Sequence, residues 1–187
     1  MNLELRKVSI KDIQFADKDN TLKHVYQTSW GMTTRLIGAI IMVHGDNEGL
    51  VLPPKVAPVQ VCIVPVMQKK EGVLDKANEL LARLKAAGIR AELDDSDKSP
   101  GFKFADCEMR GIPLRVEIGP KDIDADKCVF VRRDTRDKCD IQLADLEKAA
   151  ADMLDTIQKD MFERAKAHRD AHIWDAHNYD EFTEIAN

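Results

Sequence analysis

Residues 59–66 read Val-Gln-Val-Cys-Ile-Val-Pro-Val, a short apolar run rich in β-branched side chains. Such a run fills a strand that is buried on both faces. Directly after it, Val73, Leu74, Ala77, Leu80, Leu81 and Leu84 recur at helical spacing over residues 71–87 and stop at Gly88. Residues 89–93 are again extended. A strand, a helix and a strand in that order commit this part of the chain to a sheet with helices packed on it. The pattern continues with a helix around 100–110, against which Gly101 counts. Strands follow at 114–118 and 128–132, the first leaving through a Gly119-Pro120 turn, and Ile141-Gln142-Leu143 ends a fifth strand. Leu146, Ala149, Ala150, Met153, Leu154, Ile157 and Met161 then mark a long amphipathic helix to about residue 170. The fold class expected is α/β, a mixed five-stranded sheet flanked by helices.

The preceding block is different. Residues 5–15 and 22–27 read as short strands around the turn-rich Asp17-Lys18-Asp19-Asn20. Leu36, Ile37, Ile40, Ile41 and Val43 form an apolar helix from about residue 33 to 44, capped by Thr33 or Thr34 and stopped by Gly45. Its apolar residues are too continuous for a surface helix, so it is expected to be mostly buried. Pro53, Pro54 and Pro58 make 53–58 a linker, where proteolysis is expected to cut first. One buried helix and a few strands are too little for a domain, so 1–50 is not expected to fold alone, whereas 59–165 is.

Charge narrows the function classes. The 187 residues carry a net charge of −5, but residues 59–140 hold 16 basic and 16 acidic side chains, and 141–187 hold 5 and 11. The net acidity argues against holding nucleic acid by bulk charge alone. It leaves room for a local basic face in the middle block, where Arg110, Arg115, Lys121, Arg132, Arg133 and Arg136 fall close together. The alternative is a solvated surface of mixed charge. No apolar run reaches the ~20 residues of a membrane span, and the charged start lacks a secretory h-region. The four cysteines form no CxxC pair, which reads as reduced thiols in a cytoplasmic protein.

The most specific run is Gln27-Thr28-Ser29-Trp30-Gly31-Met32-Thr33-Thr34-Arg35-Leu36-Ile37-Gly38, leading to His44-Gly45-Asp46. A strand passes through a glycine into a helix whose first turn carries an arginine. A glycine admits a ligand to the backbone, helix N-terminal N–H groups meet phosphate, and a guanidinium pairs phosphate oxygens two at a time. The plain alternative is a glycine turn with an arginine on some local carboxylate.

The stretch TSWGMTTRLIGAIIMVHGDNEGLVLPPKVAPVQVCIVPV resembles class II prolyl-tRNA synthetases of the archaeal/eukaryotic type, shared by archaea, eukaryotes and some bacteria. The likeness continues through DKANELLARLKAAGIRAELDD, GFKFADCEMRGIPLRVEIGPKD, VFVRRDT and FERAKAHRD, covering nearly the whole chain. It implies that 1–52 is the C-terminal piece of a class II catalytic α+β domain carrying motif 3, that 53–58 is a linker, that 59–165 is an anticodon-binding domain, and that 166–187 begins a C-terminal extension. The resemblance assigns Arg35 to the terminal phosphate of ATP as the catalytic residue, Thr33 to a second ATP contact, and Ser29, Trp30 and Gly31 to the floor of the proline pocket, on the motif 3 strand. Proline, ATP, Mg²⁺ and tRNA-Pro are the implied substrates and partners, in a cytoplasmic homodimer with no membrane or DNA role. Motifs 1 and 2 lie upstream in that family, so this chain alone is expected to be inactive. The family's zinc module is expected to start near Tyr179 and to lie outside this chain, which then reads as an internal fragment or a degraded gene product. Cys107 stands where an aromatic residue is expected.

The proline anticodon has guanine at its second and third positions. Unstacked bases are read by hydrogen bonds to their edges over a stacking surface. Guanine O6 and N7 suit Arg or Lys, and its N1–H and N2–H suit a carboxylate. Glu108, Arg110, Arg115, Lys121 and Arg132 are the expected anticodon contacts, with Glu117, Asp122 and Arg133 beside them; Arg115 and Glu117 alternate on one face and could instead pair with neighbours. His168 and His172 at i, i+4, with His177 after them, read as an exposed polar face near a helix end rather than a metal site, and no metal ligand is assigned. Two other function classes compete with a synthetase piece: a free-standing anticodon-type RNA-binding adaptor, and a small nucleotide-binding enzyme built on Arg35.

Overall fold

A computed structural model of the chain describes residues 6–7 and 14–186. They fall into two compact units, 1–37 and 38–187. The first contains four short strands, β1 (Arg6–Lys7), β2 (Gln14–Ala16), β3 (Leu22–His24) and β4 (Tyr26–Gln27). β1 pairs antiparallel with β4, and β2 with β3 in the register Phe15↔Lys23. The hairpin closes through Asn20 at φ 61, a left-handed conformation that asparagine tolerates, and Lys23 pairs with Asp17 across the turn. The strand expected at 22–27 is thus two pieces broken at Val25, and much of the one expected at 5–15 lies outside the described residues.

Helix α1 (Arg35–His44) starts where expected: the Thr33 hydroxyl accepts from the Arg35 N–H at 3.4 Å. It is not buried. None of its residues is, and Ile37 is 61% exposed. An unbroken apolar run predicts burial only if another element covers every side of the helix, and among the described residues none does. At its end the Gly45 N–H reaches the Ile41 carbonyl at 2.8 Å, and a Cβ on Gly45 would stand 2.6 Å from that oxygen.

The segment after α1 is packed into the second unit. Leu50 N–H donates to the Met109 carbonyl (3.1 Å) and Leu52 N–H to that of Gly111 (3.2 Å). Val51 is buried with Ile157 and Met161. Residues 53–58 are no loose linker either. Pro54 and Ala57 are buried, and their carbonyls accept from Arg90 Nη2 (2.9 Å) and Nε (3.1 Å). The stretch is not extended as the prolines suggested: the Val56 and Ala57 N–H groups both reach the Pro53 carbonyl at 3.0 Å in a tight turn, and the arginine holds that turn down.

The second unit continues with β5 (Val61–Pro65), α2 (Val73–Ala86), β6 (Ala91–Leu93), α3 (Pro100–Met109), β7 (Leu114–Ile118), α4 (Pro120–Asp124), β8 (Lys127–Arg132), β9 (Lys138–Gln142), a 3₁₀ turn at Leu143–Asp145, α5 (Leu146–Ala171) and α6 (Tyr179–Ala186). Strand order is β6-β5-β7-β8-β9, with β5 parallel to both neighbours and β8 and β9 antiparallel. All five β5 residues are buried, which is what its unbroken apolar run demanded. On one face Ala77, Leu80 and Leu84 of α2 and Leu146, Ala150 and Leu154 of α5 pack against Val61, Ile63, Leu114, Val116 and Phe130. Each leucine so buried contributes about 2 kcal/mol. On the other face α3 covers Cys62 and Val64 through Cys107 and Phe104. The fold class is therefore the mixed five-stranded sheet with flanking helices that the pattern predicted.

Two helices differ from expectation. The Gly119-Pro120 turn is the start of α4, because Asp122 Oδ2 turns back to accept from the Gly119 N–H at 2.9 Å. The fifth strand, β9, runs from Lys138 and ends at Gln142 as expected, with Cys139 and Ile141 facing the core. α6 was not anticipated.

Candidate nucleic-acid interface

Ser99 caps α3 by accepting from the Phe102 N–H (3.4 Å), and Pro100 occupies its first turn. The helix buries Lys103 and Cys107 against the sheet, so Phe104 and Glu108, one turn apart, stand along its flank. It ends at Gly111, whose φ of +69 reverses the chain into β7. A Cβ there would lie 2.6 Å from Leu50 Cβ, so only glycine lets residues 50 and 111 approach this closely.

That reversal sets Arg115 of β7 beneath α3. Arg115 is 7% exposed. Its Nη1 donates to Glu108 Oε1 (3.0 Å) and its Nε to Glu117 Oε1 (3.0 Å), while the guanidinium lies 4.3 Å from the centroid of the Phe104 ring. Lys138 Nζ of β9 stands 3.8 Å from Glu117 Oε2. Arg110 pairs with Glu92 (2.6 Å) and Asp106 (3.5 Å), and the Glu92 carboxylate holds its charged form more firmly than usual. Glu108 and Arg115 thus form one cluster, with Glu117 bonded to Arg115 as the alternation along β7 suggested, while Arg110 pairs separately toward β6.

The other two expected contacts lie elsewhere. Lys121 is exposed on the first turn of α4, beyond the carboxyl end of β7, with no ion pair among the described residues. Arg132 does not share the face of Arg115. In β8 its neighbours on the same side are Cys128 and Phe130, which face the α2–α5 core. It binds Asp134 with two hydrogen bonds (3.0 and 2.9 Å) and Asp160 of α5 with a third (2.7 Å). Counting positive residues close in sequence could not show this, because alternate strand residues face opposite ways. Conversely Phe104 escaped notice, although its spacing of four from Glu108 on a helix signals a shared flank. Arg133 and Arg136 are also committed, both to Asp46.

In the first unit, strand β4 ends at Gln27, and Ser29, Trp30 and Gly31 follow it outside any strand. All three are exposed, Trp30 to 78%, as are Thr33 and Arg35. Among the described residues Arg35 has no carboxylate partner. His168 and His172 stack at 4.2 Å, and Nδ1 of His172 lies 2.7 Å from the His168 carbonyl. Burial and the nearby Arg164 charge lower the pKa of His44. Among the described residues no group of three His, Cys, Asp or Glu side chains could hold a metal ion, and no helix is long and apolar enough to cross a membrane.

The chain is 64% identical over 174 residues to the proline–tRNA ligase of Lachnospira eligens, covering 93% of this chain and 36% of that protein. Identity is 61% over the same shares to the enzyme of that name from Lachnoclostridium phytofermentans, and 55% over 176 residues to that from Clostridium novyi. The chain therefore spans about a third of the length of the curated relatives it matches. A family model, the anticodon binding domain, matches residues 60–153, the stretch that runs from β5 into α5 and carries the Arg115 cluster. With half of its length under that model and the sheet built accordingly, the chain belongs to the anticodon binding domain family.

Proposed function

We propose that this chain is part of a proline–tRNA ligase and that its sheet-and-helix unit reads the anticodon of tRNA-Pro. The observation that carries the reading is Arg115, held over Phe104 between two carboxylates. Cation, carboxylate and aromatic ring are the three groups needed to read an unstacked guanine. Glu108, Arg110 and Arg115 supply the edge contacts, Lys121 adds an exposed cation, and Arg132 serves the fold. The names of the bacterial relatives support the activity. The finer label, the archaeal/eukaryotic type, has only the sequence resemblance behind it, and the relatives found are bacterial.

On this reading residues 1–52 belong to a class II catalytic domain and 166–187 to a C-terminal extension, with 53–58 between functions rather than between folding units. Arg35 and Thr33 contact ATP, and Ser29, Trp30 and Gly31 floor the proline pocket. An exposed arginine suits the phosphate end of ATP. No carboxylate occurs in residues 28–37, so none of them is assigned to Mg²⁺. ATP and Mg²⁺ chemistry, dimerisation and a cytoplasmic location belong to the whole enzyme. The adaptor alternative is disfavoured because a 174-residue match must reach into the segment before residue 59, where an adaptor has no need of motif 3.

The test is a titration of two anticodon stem-loops at fixed salt, one with GG and one with AA at the second and third positions. The GG loop should bind more tightly by about 1–3 kcal/mol per good contact. Glu108→Gln and Arg110→Ala should shrink that difference. Equal affinities, unchanged by both substitutions, would reject the reading.

A further inference from the structure

Where neighbouring parallel strands send their next helices to opposite faces of a sheet, a crevice opens beyond their carboxyl ends, and ligands gather there. β5 leads to α2 on one face, and β6 leads to α3 on the other. Between the two loops lies a crevice of about 370 Å³. Lys69, Lys70, Lys98 and Lys103 line it, with Asp97 as its one carboxylate.

Lys103 is 1% exposed, and its ammonium ties the two lips together. It donates to Gln68 Oε1 of the β5 loop (2.7 Å) and to the Asp94 carbonyl of the β6 loop (2.7 Å). The other three lysines are exposed and form no ion pair among the described residues; Lys98 lies over the Phe102 ring. They differ in this from Arg110, Arg115, Arg132, Arg133 and Arg136, which are all ion-paired. The N-terminus of the ten-residue α3 opens beside them, and Gly101 there has open space around its Cα. The crevice also adjoins the proposed anticodon face. The Val66 N–H binds the Ile118 carbonyl at 2.8 Å, which sets the 66–70 loop against the start of α4 and Lys121.

We propose that this crevice seats backbone phosphates of the RNA whose bases meet the α3–β7 face, an inference that rests on the anticodon reading above. Free lysines spread over two loops suit successive phosphodiesters of a strand. A single small anion would be held by converging buried donors, and the one buried ammonium here is already taken by Gln68 and Asp94.

The experiment measures the salt dependence of stem-loop binding by the full chain. Lys69→Ala/Lys70→Ala/Lys98→Ala should lower the slope of log K against log salt by about 2, since each single-strand phosphate contact contributes ~0.7. Affinity for GG and AA loops should fall by the same factor, leaving their ratio intact. Lys85→Ala/Lys148→Ala/Lys159→Ala removes the same charge from exposed positions on α2 and α5 and should leave the slope unchanged. An unchanged slope in the crevice variant, or equal losses in both variants, would overturn the proposal. So would inorganic phosphate shifting the 66–70 and 98–101 amides while the RNA slope stays put. If the wild-type chain bound GG and AA loops equally, the anticodon reading would fail, and the slope difference would still score the crevice.

Discussion

Asp46 and Arg133 are far apart in sequence and lock the segment after α1 onto the sheet. Arg133 is 4% exposed and donates to both Asp46 oxygens, at 2.7 and 2.6 Å, while its Nε donates to the Glu108 carbonyl at 2.9 Å. Asp46 Oδ1 also accepts from the Glu48 and Gly49 N–H groups, closing the 46–49 turn. Removing one partner of a fully buried ion pair costs about 3–5 kcal/mol. The Asp46 side chain is 38% exposed, so water can partly replace it. The expectation is therefore about 2–3 kcal/mol for Asp46→Ala, less for Arg133→Met, and about 1–2 kcal/mol of coupling in the double-mutant cycle. Urea unfolding followed by circular dichroism measures these values. Faster amide exchange at Leu50 and Leu52 would locate the loosening. The pH dependence has a definite sign. Arg133 holds the Asp46 carboxyl well below the usual carboxylate range, so the folded-state pKa is depressed. Its stabilisation is complete above the unfolded carboxyl value of about 3.9 and drains away as pH falls further. Asp46→Ala should thus converge on the wild type in acid. A cost under about 0.5 kcal/mol at neutral pH, or zero coupling, would refute the reasoning.

Limited proteolysis with a non-specific protease should cut first within residues 28–34, which are exposed and irregular, rather than at Pro53-Pro54; early cleavage at 53–58 would contradict the packing seen there. Arg90→Met strips the donors from the Pro54 and Ala57 carbonyls, and should cost about 1–3 kcal/mol in urea unfolding and make 53–58 cleavable. Gly111→Ala forces a Cβ into Leu50 at a positive φ and should lower stability by about 2–4 kcal/mol, read as a fall in the unfolding midpoint.

The sheet was legible because its strands are apolar on a period that few other structures accept. Residues 59–66 could be only a doubly buried strand or a short core helix, and Pro65 with the β-branched neighbours decided it. Where strands are half-exposed, the signal weakens. β9 reads Lys-Cys-Asp-Ile-Gln, and its two inward residues are too few to show a period. The error at 53–58 has another cause. Proline says how a backbone must run, and whether the run is loose depends on Arg90, more than thirty residues later. The site was half legible. Glu108 and Arg115 meet because a helix end and the next strand are joined by a tight glycine reversal, a local feature. Arg132 stands on the other face from Arg115, because facing depends on the parity of β8 pairing, which no local count records.

On the proposed reading, a guanine meets an Arg115 that already has partners. Arg115 gives its Nε–H to Glu117 and one Nη1–H to Glu108, two of its five donors, and a base that draws Glu108 away breaks that ion pair, so recognition is in part an exchange of charged hydrogen bonds and its net yield is small. The two carboxylates are not equivalent. Glu117 is the more buried, with 13% of its side chain exposed against 31% for Glu108. Glu117 stays to orient the guanidinium over Phe104, while Glu108, on the last turn of α3, can release it and turn to a base. Guanine repays that release on both sides, with O6 and N7 for the cation and N1–H and N2–H for the carboxylate. Adenine presents a donor where guanine has O6, so it leaves Arg115 and Glu108 better satisfied by each other. An internally paired site of this kind gives modest affinity together with discrimination, because the ion pair it must break competes with every base and loses only to the right one.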